Sequence, residues 1–292
     1  MFALSAPIGK SFEIWPGKIT FAAEGSGAPE ALDAATDMAR ALCRAVIEDA
    51  ELLASGGSVL PRGRAGRHAA EVAALFREVQ GVELPPVVAA LPGAVCDVVL
   101  EVMREAAERA GGADFIAVSL GDAVAIHREA HVVLPPNSGL PPMPGEFLRA
   151  LGAGVQGAGV QGGAALGGVH STMPTRGAID LVATFSRNAA MAGFAAAMIA
   201  DASADGFTPP AGVLPRDRLY AAAWGGRRVA AACGVVEPEI VWDALSASVR
   251  QAAALRDRRL LSAAALGFKG RGRILGAIDG DRLLRFGVSE WR

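Results

Sequence analysis

The chain has 292 residues, of which 52% are hydrophobic and 20% charged, so it can bury a sizeable core and is not a disordered polymer. Lys plus Arg number 28 against 30 Asp plus Glu, a net charge of -2. That balance excludes a global positive field for holding nucleic acid or an anionic membrane surface. The length admits one large domain or two small ones.

The opening reads as extended chain. Residues 11–14 and 18–23 favour strands and flank a Pro16-Gly17 turn. Pro29 sits where a first helical turn tolerates proline, and Leu32, Ala35, Ala39, Leu42 and Val46 recur at helical spacing to about residue 54. Gly56-Gly57 is expected to stop that helix. A basic loop with Arg62, Arg64 and Arg67 leads to a second helix over 65–79, with Val72, Leu75 and Val79 on its apolar side. Pro85-Pro86 resets the chain, and a central helix follows over 88–110. Two apolar runs, 115–120 and 123–127, are joined by Gly121-Asp122, a hairpin signature.

Five prolines between residues 134 and 145 predict an irregular surface loop. Glycine dominates residues 152–168; then 178–186 reads as a buried strand and 187–202 as a helix of small residues. Beyond Pro209-Pro210 the pattern predicts a strand over 228–233, a helix over 238–257 and closing strands over 273–278 and 282–288. Intermixed helices and hairpins with no repeat of 20–50 residues favour an α+β layered fold over a doubly wound sheet or a solenoid.

Cys43, Cys96 and Cys233 are odd in number and widely spaced, with no CxxC pair and no zinc-ligand spacing to histidine. They read as buried small hydrophobes, and the expected compartment is the reducing cytoplasm. The first residues lack a basic segment followed by an apolar one, so no secretory signal is expected. The uncharged stretch 150–175 is broken by Gln156, Gln161 and His170, and the apolar run 188–200 falls short of the ~20 residues a bilayer requires. No membrane span and no nucleic-acid partner are expected.

Several residues carry candidate chemistry. The glycine tract holds two overlapping GxGxxG matches, from Gly152 and from Gly157, but no clear strand precedes it and no continuous helix follows. Close backbone packing in a turn explains those glycines better than a dinucleotide fingerprint. Of the four histidines, His68, His127, His131 and His170, the pair 127/131 is spaced by four but begins on a strand, so no helical two-histidine metal site follows. His170 and Ser171 form a polar pair inside a glycine-rich turn. Asp122 is explained by turn formation, whereas Asp180 falls in an apolar strand, where an acid is costly unless paired.

Three stretches in order, 86–103, 115–127 and 167–201, resemble the uncharacterised branch of ApbE-like proteins, relatives of the flavin transferases. Gly93, Ala94 and Asp97 keep the pattern of the first motif; Gly121, Asp122, Ile126 and His127 keep the hairpin. The third stretch is similar to the family's glycine/serine turn, strand and following helix. The resemblance implies one ApbE-like domain over residues 1–292, or two intertwined subdomains. It also implies a flavin- or nucleotide-shaped cleft built from the hairpin and the glycine turn, with Gly121, Asp122, His127, His170, Ser171 and Asp180 facing a ligand; the cofactor is left open, FAD being the candidate the resemblance offers. Where the family's magnesium site has an acid and a threonine, this chain has Gly193 and Ala197, which offer no side-chain oxygen. The leading expectation is therefore a protein that binds a small anionic or aromatic ligand and performs chemistry other than FMN transfer, with no metal assigned. The alternatives are a non-catalytic scaffold subunit, homo-oligomeric or in a complex, and a magnesium-dependent FAD:protein FMN transferase drawing ligands from Asp97 or Asp201.

Overall fold

A computed structural model describes residues 8–55, 60–77, 79, 83–129, 140–154, 160–204, 212–230, 234–283 and 286–291. Gly56-Gly57, His131, Pro209-Pro210, Cys233 and the middle of the glycine tract lie outside them. The first hairpin joins β1 (Ile8–Ile14) to β2 (Gly17–Glu24), with Ile14 opposite Gly17. Helix α1 (Ala28–Ala54) buries all five residues of the predicted stripe. Helix α2 (Arg64–Phe76) buries Ala69, Val72, Ala73 and Phe76, a choice of face that leaves Leu75 exposed rather than in the core. After one turn of 3-10 helix, α3 (Leu91–Arg109) lies in the middle of the helical layer, against α1, α2 and the next hairpin.

That hairpin consists of β3 (Phe115–Leu120) and β4 (Ala123–Arg128), closed at Gly121-Asp122 as the sequence predicts. The second half of the proline-rich stretch is not irregular, because α4 (Pro142–Gly154) begins there. Pro142 and Pro144 occupy its first turn, where a backbone N–H has no helical partner to lose. The tail of the glycine tract is likewise a strand, β5 (Val160–Gly167), rather than a turn. It pairs with β6 (Leu181–Ser186), which leads into α5 (Ala189–Ala202). A small two-stranded sheet, β7 (Gly212–Val213) with β8 (Val229–Ala230), brackets α6 (Arg218–Ala223). Helix α7 (Pro238–Asp257) has the predicted bounds.

Two closing strands follow it, β9 (Ala263–Phe268) and β10 (Arg271–Leu275). The described residues of the predicted strand over 282–288 are not in a strand; a 3-10 turn at Gly280–Arg282 stands at its start, which the Asp279 carboxylate caps by accepting from Asp281 N–H. Gly287 then takes a left-handed backbone, and β11 (Glu290–Trp291) adds to the sheet edge.

Nine of the eleven strands described form one sheet in the order β1-β2-β3-β4-β5-β6-β9-β10-β11, antiparallel throughout except for the parallel β10–β11 pair. Sequential antiparallel pairing with most of the helices gathered on one face makes this an α+β fold. The larger core lies between that face and the helices; a second core on the opposite face is closed by α4 and by Leu283 and Phe286. All fourteen residues of α5 are buried, so its small side chains serve close approach within the chain. At Gly163 a Cβ would lie 2.1 Å from the Ala189 nitrogen, and at Gly93 it would lie 2.3 Å from the Ala189 oxygen. Glycine on both sides is thus what admits the start of α5 between α3 and β5. Among the described residues no helix is long and apolar enough to cross a membrane.

Candidate functional site

Gly121 has φ +58°, a left-handed conformation that lets the β3–β4 turn close tightly. The turn delivers the Asp122 carboxylate to the segment between β5 and β6. There its Oδ2 accepts hydrogen bonds from Thr172 N–H at 2.5 Å, Thr172 Oγ1 at 2.8 Å and Ser171 Oγ at 3.0 Å. Ser171 Oγ in turn accepts from Met173 N–H at 3.0 Å. Asp122 is therefore the staple of the 168–173 turn as well as a turn former in its own hairpin. The structure brings Gly121, Asp122 and Ser171 together.

Of the other predicted residues, His170 belongs to the same turn and its backbone N–H donates to the Asp180 carbonyl at 3.1 Å, while His127 lies apart. Asp180 is not inside a strand; it precedes β6 and accepts from Lys269 N–H at 2.7 Å, with Lys269 Nζ 3.7 Å away. The costly acid is thus paired, and it ties the β9–β10 turn to the start of β6. His170 is exposed, with Nε2 4.0 Å from Asp180. His127 sits near the far end of β4, directly opposite Gln161 of β5. Its Nε2 is 3.4 Å from Glu129, and its Nδ1 is buried with no hydrogen-bond partner.

Beside the stapled turn lies a groove of about 550 Å³, within the range of small-molecule pockets. Ser171, Thr172 and Met173 form one wall, and Val213, Leu214 and Tyr220 form the facing one. Val213 and Leu214 are large apolar side chains left exposed. The far wall is held in place by Asp217, which accepts from Trp15 Nε1 at 3.0 Å and caps α6 through Leu219 N–H and Tyr220 N–H. Trp15 and Tyr220 pack with ring centroids 5.2 Å apart. Burial, and after it the charges of Asp217 and Asp122, push the Tyr220 pKa upward, so the hydroxyl stays neutral. The sequence reading missed this wall; the only signal for it was the tryptophan, tyrosine and aspartate at distant positions 15, 220 and 217.

Where the hairpin, α3 and α5 meet, Ala89, Gly121, Asp122 and Gly193 surround a crevice of only about 20 Å³, room for a single water. The two acids named as alternative metal ligands are engaged elsewhere. Asp97 accepts from Ala189 N–H at 2.8 Å and Ala190 N–H at 2.9 Å, and lies 3.1 Å from His68 Nε2. Asp201 accepts from Thr175 Oγ1 at 2.8 Å and from Arg176 N–H at 2.7 Å; burial pushes its carboxyl up, against the pull of Arg176. Among the described residues no group of three His, Cys, Asp or Glu side chains is placed to hold a metal ion. Cys96 is buried and its thiol is pushed up by burial, whereas Cys43 is only half-buried.

No family model matches the chain, and no curated protein matches it.

Proposed function

We propose that the chain is a diverged ApbE-like protein that binds a small ligand with an aromatic body in the groove beside residues 168–175, with chemistry other than standard FMN transfer. The observation that carries this reading is the groove itself, with Met173, Val213, Leu214 and Tyr220 on its walls and its shape fixed by the Asp122 staple. Its ApbE-like character is supported by the packing of the three resembling stretches on one another, since α3, the β3–β4 hairpin and the turn–β6–α5 segment meet at Gly121 and Gly193.

The charge balance at the groove favours an aromatic ligand over an anionic one. Among the described lining residues Arg216 is the one cation, set against Asp217, with Asp122 behind the turn. A pyrophosphate needs several cationic or N–H donors, so these residues do not fit that part of FAD. Gly193 and Ala197, both buried in α5, supply no oxygen for magnesium, and Asp97 and Asp201 are occupied.

The test is titration calorimetry with riboflavin, which has the ring without phosphates, and with FAD, each with and without magnesium. Riboflavin binding that ignores magnesium and weakens in Leu214→Asp is the expected result. Absence of binding by both compounds would reject an isoalloxazine-sized ligand. FAD binding that requires magnesium would overturn the departure from transferase chemistry.

A further inference from the structure

A second cavity, of about 450 Å³, opens where α2, α3, the start of β5 and the N-terminus of α5 converge. It is separate from the groove: Gln161 lines it, while Gly167 at the other end of β5 leads into the stapled turn, roughly 20 Å away at the usual strand rise. Four arginines, Arg64, Arg67, Arg104 and Arg187, reach it from three directions, together with His68.

Each local charge has a definite state of engagement. The N–H groups of α5 that would otherwise attract an anion are already taken by Asp97, so the helix terminus adds little. Arg64 is paired with Glu101 at 2.9 Å, and Arg104 reaches Glu108 through one terminal nitrogen at 3.2 Å. The Arg104 Nε is buried and has no partner. Arg67 and Arg187 have no acidic partner among the described residues, and Glu71 is the one lining acid without an ion pair there. With the paired charges cancelled, the cavity keeps a surplus of guanidinium.

We infer that this cavity is a binding site for a small, multiply charged oxyanion, phosphoryl or carboxylate, held by Arg67 and Arg187. Guanidinium forks match both groups in a planar, two-bond geometry, which an ammonium cannot provide. His68, held by Asp97 with its ring against the cavity, offsets the Asp97 charge when protonated. Its position is fixed by the same carboxylate that starts α5, so the site is built on two rigid helices.

The experiment is calorimetry of the full chain at low ionic strength with inorganic pyrophosphate and, in parallel, citrate. Saturable binding of at least one is expected, and the stronger of the two assigns the phosphoryl or the carboxylate class. Arg67→Gln and Arg187→Gln, both on exposed side chains, should each weaken binding by about tenfold. Glu101→Gln, which releases Arg64, should tighten it by about threefold, an outcome no folding defect would produce. Binding of neither anion, or binding that these three substitutions leave unchanged, would overturn the assignment.

Discussion

The groove and the arginine cavity use their carboxylates in opposite ways. At the groove, Asp122 and Asp217 are consumed as acceptors for N–H and hydroxyl groups, which shapes the two walls. At the cavity, Asp97 also satisfies a helix terminus, but the surrounding arginines outnumber the acids left to pair with them. One region is organised so that its charges disappear into the fold; the other retains charge at its surface. The difference teaches that a conspicuous acid at a turn is often part of the frame, whereas function follows the groups left unmatched.

The comparison can be broken by substitution. Asp97→Ala removes the acceptor for two α5 N–H groups and strands His68, and should cost about 3 kcal/mol in urea unfolding. Asp122→Ala releases the 171–172 turn and should cost about 2 kcal/mol while abolishing ligand binding at the groove. Anion binding at the cavity should survive it; if Asp122→Ala abolished both, the two regions would not be independent.

His68 gives a pH-dependent test. The hydrogen bond to Asp97 raises its pKa above the ordinary 6.5, against the opposing effect of burial. Its contribution to stability is then complete below pH 6.5 and is lost as pH rises through the folded value. His68→Gln should therefore flatten the fall in stability on that alkaline side, as read from unfolding curves across pH. The smallest expected effect is that of Arg187→Gln on stability, within about 0.5 kcal/mol, because the side chain is exposed and unpaired. A large destabilisation there would mean that Arg187 belongs to the frame rather than to the cavity.

Parts of the molecule were legible because local pattern and tertiary need agreed. The five-residue stripe of α1, the bounds of α7 and the hairpin at Gly121-Asp122 all follow from spacing and turn chemistry. The strands β5 and β9 were not legible. They read VQGGAALG and AAALGF, where alanine and glycine carry no strand preference. They are strands because they lie inside the sheet, and their small residues let α5 and α7 pack close to it. Asp180 was legible as an acid requiring a partner, yet Lys269, the partner, lies 89 residues away.

By itself the sequence determined the α+β class, the apolar faces of the main helices and the tight turn that aims Asp122, since periodicity and φ preferences act within a few residues. Only the tertiary structure decided which polar groups remain unmatched. Arg104, Arg187 and His68 come from three separate helices or their ends, and Val213 faces Met173 across a groove although they stand 40 positions apart in the chain. Whether a charge is cancelled or left to bind something depends on neighbours brought in from a distance, and local spacing carries no record of them.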